Sequence, residues 1–225
     1  MKRGRWPILL LCLGVAVSAQ SRFRPAQYAG GPLPVVPFRA VGGGEVMLEL
    51  AVARDGIVTG VKPLRSTPPF TETFTAAAKT WRFRPAQLLA EVADRSRPPA
   101  WESVDATVLV AGIVRPPTLN SPTLGEPPRD VGAAADTTPF PLRIITPPFP
   151  PLARDGGVVL VEVMIDAGGK VSEAKALTSS PGFEQLALNT ARSWSFRPAR
   201  AKGEAVATYA YLVFAFRQPV TGSGR

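Results

Sequence analysis

The chain repeats itself. Displacing the sequence by 113 residues lays Gly44 to Ala86 over Gly157 to Ala199 without a gap, and 16 of the 43 aligned positions are identical. The identities are spread along the segment: Gly44/Gly157, Glu49/Glu162, Gly56/Gly169, Lys62/Lys175, Phe70/Phe183, Trp81/Trp194 and Phe83/Phe196 among them. A period of this size is that of a small domain rather than a solenoid turn, so the chain reads as two copies of one unit.

Each copy opens with alternating apolar positions, Val46, Leu48, Leu50 and Val52 in the first and Val159, Val161, Val163 and Ile165 in the second, which predicts a strand with one face on a core. Asp55-Gly56 and Gly168-Gly169 supply the turn residues of a hairpin. A second strand follows, Ile57 to about Arg65 and Lys170 to about Thr178. Phe70, Phe74, Ala77, Ala78 and Trp81 then take helical spacing, matched by Phe183, Leu186, Ala187, Thr190, Ala191 and Trp194. Ser66 or Thr67, and Ser179 or Ser180, stand where N-caps are expected. Trp-x-Phe-Arg-Pro-Ala stops both helices, because Pro85 and Pro198 push the preceding arginine out of the α region. Trp81, Phe83, Trp194 and Phe196 are read as structural core. Closing strands run Val104 to Val114 and Val206 to Phe216, with about 11 extra residues near Glu91 to Trp101 in the first copy.

The expected class is therefore α+β: two tandem units, each a small three-stranded antiparallel sheet with a helix on one face, in the order strand, strand, helix, strand. The expected divisions are an export or anchor segment over 1–19, an N-terminal arm over 20–34, units over 35–114 and 140–219, a Pro-rich linker over 115–139 and a tail over 220–225. Arg22 to Gln27 duplicates Arg82 to Gln87, RFRPAQ, either as a relic of duplication or as an arm of its own.

Lys2, Arg3 and Arg5 precede an apolar run, Ile8 to Val17, that ends in Val17-Ser18-Ala19. This is the pattern of an export signal cleaved before Gln20, or of an anchor that is kept, and it points to the periplasm. Composition narrows the chemistry. There is no histidine and the only cysteine, Cys12, lies in the apolar run, so neither a zinc site nor His-assisted or thiol catalysis is expected, and no metal or cofactor. Ser172 and Lys175 match a Ser-x-x-Lys pattern but fall on a strand, where that separation sends them to opposite faces. Gly42-Gly43-Gly44 lacks the lysine and helix of a phosphate loop. Glu49 and Glu162 are expected at solvated outward positions. Although the net charge is +9, the basic residues are scattered, and aromatic residues on the last strand divide between its faces, so no nucleic-acid partner is expected.

Phe149-Pro150-Pro151-Leu152-Ala153, Gly157-Val158-Val159, Ser179-Ser180, Trp194-Ser195-Phe196-Arg197-Pro198-Ala199 and the closing Phe214-Ala215-Phe216 resemble the TonB C-terminal domain. The first copy resembles it from Gly44 to about Val114. The resemblance implies a non-enzymatic module that takes an extended segment of an outer-membrane or envelope protein as an added strand. It places the edge on the final strand of the second copy, with Tyr209, Tyr211, Leu212, Val213, Phe214 and Phe216 as partner-binding residues, and the first copy, whose strand carries Gly112, as the lesser site. It also offers a homodimer through sheet edges. The alternative it implies is a membrane-anchored transducer of TonB-dependent transport, meeting inner-membrane motor proteins if the N-terminus is retained; the missing histidine and spacer argue against that role.

Overall fold

The computed structural model describes residues 22–37, 40, 42–90, 98–117, 121–127, 134–178 and 180–217. In chain order the first half holds β1 (Phe23–Arg24), β2 (Gln27–Gly30), β3 (Gly44–Val52), β4 (Val58–Arg65), α1 (Phe70–Ala78), β5 (Arg82–Arg84), β6 (Ala86–Leu89), β7 (Trp101–Val104), β8 (Ala106–Arg115) and β9 (Thr123–Leu124). The second half holds β10 (Phe140–Arg143), β11 (Ile145–Thr146), β12 (Gly157–Ile165), β13 (Val171–Ala176), α2 (Glu184–Arg192), β14 (Ser195–Arg197), β15 (Ala199–Ala201), β16 (Glu204–Val206) and β17 (Thr208–Phe216).

Each unit has its three antiparallel strands and its helix, but the two sheets are not separate. They join into one six-stranded sheet in the order β13-β12-β17-β8-β3-β4. The seam is the parallel pair β8 and β17, with Ala210 opposite Leu109 and Phe216 opposite Arg115. Equivalent strands that pair in parallel are related by a half-turn about an axis along the strands, which sends the two helices to opposite faces. The cores follow. One gathers Phe70, Phe74 and Trp81 of the first unit with Leu160, Tyr211 and Val213 of the second. The other gathers Phe183, Ala187 and Trp194 of the second unit with Met47, Leu109 and Ile113 of the first. The expectation that the opening strands bury one face is thereby corrected: Val46 through Leu50 and Val159 through Glu162 are buried without interruption, because the neighbouring unit covers the second face.

The repeat begins earlier than Gly44. β2 pairs with β5, Gln27 opposite Arg84, and β10 pairs with β14, Phe140 opposite Arg197, the same register 113 residues on. The Trp81 indole donates to the Pro32 carbonyl and the Trp194 indole to the Ile145 carbonyl, each at 2.8 Å. The arm over 20–34 is therefore, in its described residues, part of the first unit. The two RFRPAQ copies lie side by side, Arg24 opposite Gln87 and Gln27 opposite Arg84, in a locally two-fold antiparallel ladder. The linker expectation is corrected likewise. β9 pairs with β11, and the Ala135 N–H and Thr138 hydroxyl are bonded to the sheet, so much of the described 115–139 segment is docked.

Local detail also departs from the pattern. The helices start at Pro69 and Phe183 with no side-chain cap, and Thr71 Oγ1 accepts the Thr67 N–H; Ser179 lies outside the described residues. The closing strands are broken after Val104 and Val206, and the extra residues of the first copy lengthen the β6–β7 hairpin relative to β15–β16. At the hairpin turns Gly56 and Gly169 have φ of +83° and +81°, and a Cβ there would stand 1.8 Å and 1.9 Å from the carbonyls of Phe83 and Phe196. Those two carbonyl-bearing residues in turn donate their N–H groups to the glycine carbonyls, tying turn to strand.

The two cores solve one packing problem in opposite ways. Val46 faces Gly112 and Val159 faces Phe214 across the ladders, so Gly112 and Phe214 are counterparts. Phe74 and Ala187, 113 residues apart, are counterparts on the helices. The first unit puts the ring on the helix and the glycine on the strand; the second reverses them. A Cβ on Gly112 would stand 2.1 Å from Phe74 Cε1, so this glycine is required by close approach. Gly112→Val is expected to cost about 1–3 kcal/mol through overpacking. Phe74→Ala combined with Gly112→Phe, which copies the second unit, should cost less than the sum of its single changes when measured by urea unfolding.

Candidate protein-binding surface

The residues expected to bind a partner lie on β17, and β17 is not an edge. It is hydrogen-bonded to β12 on one side and β8 on the other. Tyr211, Leu212, Val213, Phe214 and Phe216 are buried and Tyr209 is half-buried. This corrects the assignment: both rows of main-chain groups on the strand are already committed, and its side chains fill the two cores. Leu212, Phe214 and Phe216 lie under α2, with Phe216 4.5 Å from the Phe183 ring centroid. Tyr211 and Val213 point into the other core. Trp81, Phe83, Trp194 and Phe196 are buried at 1–4% exposure, and the first two pack on Tyr211 with ring centroids 6.3 Å and 5.7 Å away.

Glu49 and Glu162, expected in solvent, are 8% and 7% exposed. Each holds the arm that crosses its face. Glu49 accepts from the Thr138 hydroxyl at 2.6 Å and the Ala135 N–H at 2.7 Å. Glu162 accepts from the Tyr211 hydroxyl at 3.2 Å, which accepts the Tyr28 N–H at 2.6 Å. Lys62 and Lys175 stand directly opposite Glu49 and Glu162 in the strand ladders. The repetition of a Glu/Lys pair in both copies was the sequence signal for this brace.

Within the six-stranded sheet the two outer strands, β4 and β13, have one ladder partner each. They differ as binding edges. The Leu177 N–H donates to Leu160 in the antiparallel register that pairs Val161 with Ala176, so Ala174 and Ala176 turn their N–H groups away from β12 and outward. On β4 the counterpart of Ala176 is Pro63, which has no N–H, and the ladder is irregular on both sides of the run from Leu48 to Ala51. A proline and bulges blunt an edge. β13 offers outward donors at both positions and exposed Glu173 and Lys175. Ser172 donates to the Met164 carbonyl, a strand contact rather than a poised nucleophile. Among the described residues no group of Cys, Asp or Glu is gathered to hold a metal, and no helix is long and apolar enough to cross a membrane.

Addition of an extended peptide to an exposed sheet edge is one of the recurring modes of protein recognition, and a strand-strand-helix-strand unit leaves such an edge. Residues 147–217 match the family model described as Gram-negative bacterial TonB protein C-terminal. The match runs from just before Phe149 past the end of β17 and so takes in the second unit's sheet and helix. No curated protein matches the chain. The family is one of envelope transport and protein interaction.

Burial raises the phenols of Tyr28, Tyr209 and Tyr211, the chain's three tyrosines, above their ordinary 10.0. Since the unfolded phenols ionise at lower pH than the folded ones, the stability they contribute is complete below about pH 10 and is lost as pH rises beyond it. Tyrosinate absorbance is expected to appear together with loss of near-ultraviolet circular dichroism, in one step above about pH 10. Tyr211→Phe leaves the Tyr28 N–H without its acceptor and should cost about 1–3 kcal/mol in urea unfolding.

Proposed function

We propose that the chain is a non-catalytic module of the Gram-negative cell envelope that binds an extended segment of an outer-membrane or other envelope protein by strand addition, and that the added strand lies along β13. The observation that carries this reading is the asymmetry of the sheet: β17 is closed by the first unit, β4 lacks the outward donor at Pro63, and β13 presents Ala174 and Ala176. The family of residues 147–217 and the basic, then apolar, N-terminus support a periplasmic place. In this reading the second unit is the binding unit, and the first seals its last strand and completes its core.

Main-chain bonding to an edge gives affinity that depends on donors, while side chains alternating along the strand give selectivity. Ala174→Pro removes an outward N–H and leaves the bonds to β12 in place. A photocrosslinker at exposed Lys175 in envelope extracts should capture one extended segment reproducibly. Ala174→Pro should weaken binding of the corresponding synthetic peptide about threefold to tenfold, the worth of one net hydrogen bond. Val61→Pro, its counterpart on β4, should not. Equal losses from the two substitutions, in proteins with unchanged circular dichroism, would remove β13 as the site.

A further inference from the structure

The duplicated RFRPAQ motif has a consequence beyond folding. In the ladder that its copies form, Phe83 and Ala86 turn inward and are buried, and the alternation sends Arg22, Arg24, Arg82 and Arg84 to the outer face, where all four are exposed. The Arg24 guanidinium lies 3.9 Å from the Trp101 ring centroid, and its partner in the ladder is Gln87, 3.3 Å away. Arg22, Arg82 and Arg84 make no ion pair among the described residues. Glu102 is registered with Leu88 and so falls on the other face of the ladder.

The second unit shows that the fold does not need this charge. Its counterparts of Arg22, Arg24 and Arg82 are Ala135, Thr137 and Ser195, while Arg197, the counterpart of Arg84, is neutralised by Asp136 at 3.5 Å and bonded to two carbonyls. The first unit carries Phe23 where the second has Asp136. Four cations thus line a strip of about 23 Å, the length of seven extended residues, and none of them makes an ion pair among the described residues. They spread along a ladder interrupted at Pro25 and Pro85 instead of converging on a pocket, which suits a surface of many anionic groups. The apolar run Ile8 to Val17 ends five residues before Arg22, and Trp101 sits beside Arg24 on the same face, a side chain suited to the headgroup level of a bilayer.

We infer that this arginine face docks on an anionic phospholipid surface, holding the first unit against the membrane. Each arginine close to such a surface strengthens binding about fivefold. Floating the full chain with vesicles tests it, because the apolar run contributes equally to phosphatidylcholine vesicles and to vesicles with about one third phosphatidylglycerol, so the difference between them isolates the charge. The wild type is expected to prefer the anionic vesicles on the order of 600-fold at about 0.1 M salt, and the preference should collapse at about 0.5 M. R22Q/R24Q/R82Q/R84Q should abolish it, and the matching four-lysine variant should keep most of it, since a surface potential reads charge. R22Q/R84Q, which removes no side-chain bond within the described residues, should lose about 25-fold and guards against unfolding of the fourfold variant. Equal binding to both vesicles would overturn the inference, as would an equal loss from R143Q/R154Q on the second unit. Retention on polyglutamate but not on vesicles would also overturn it, by assigning the face to an acidic protein segment.

Discussion

Everything in this sheet depends on the parallel ladder between β8 and β17. A three-stranded sheet with one helix leaves a bare face and a bare edge, and neither unit could cover both alone. Pairing the last strands in parallel closes an edge on each unit. Because the half-turn runs along the strands, it also lays each unit's helix and arm beside the uncovered face of the other. The strands nearest the seam are consequently buried on both faces, as parallel strands usually are. Two marginal units become one sheet with two cores on opposite sides.

That arrangement explains why residues from one unit complete the other. Tyr211 is a strand residue of the second unit, yet its ring stacks among Tyr28, Trp81 and Phe83 of the first, and its hydroxyl links the first arm to Glu162. Glu49 performs the reciprocal task on the opposite face with Thr138. A buried carboxylate is costly unless bonded. Both glutamates are bonded to segments that would otherwise lie loose across the sheet, so their burial fixes where the arms run.

Within a unit, short-range physics was legible in the amino acids. The glycine turns, the helix stopped by Pro85 and Pro198, and the strand alternation are local rules that act within a few residues. The seam was not legible, because strand alternation at β17 reads the same whether the strand ends a sheet or sits inside one. One clue was present: Val46 through Leu50 and Val159 through Val163 carry apolar or repeated residues at positions that a half-solvated strand would give to varied polar ones. The arm was missed because its matching residues are dissimilar, Gln27 to Gly30 against Phe140 to Arg143, and only backbone register and the indole bonds relate them. The candidate site moved for the same reason. A resemblance to a single unit assigns the edge that unit has when alone, and the first unit occupies that edge here.

Duplication lets identity and difference be read separately. Positions that repeat, such as Gly56/Gly169, Trp81/Trp194 and Glu49/Glu162, are turn, core and brace, and the symmetry of the sheet demands them twice. Positions that differ divide into two kinds. Phe74 with Gly112 against Ala187 with Phe214 is a compensated exchange, in which each change is offset inside its own core. Pro63 against Ala176, and Arg22, Arg24 and Arg82 against Ala135, Thr137 and Ser195, have no compensating exchange among the described residues. A change that packing neither requires nor balances leaves the two units chemically unlike: the first carries positive charge on its RFRPAQ ladder with no ion pair at Arg22, Arg82 or Arg84 among the described residues, and the second carries outward main-chain donors on β13. The symmetric seam supplies rigidity, and the uncompensated differences give the two units different surfaces.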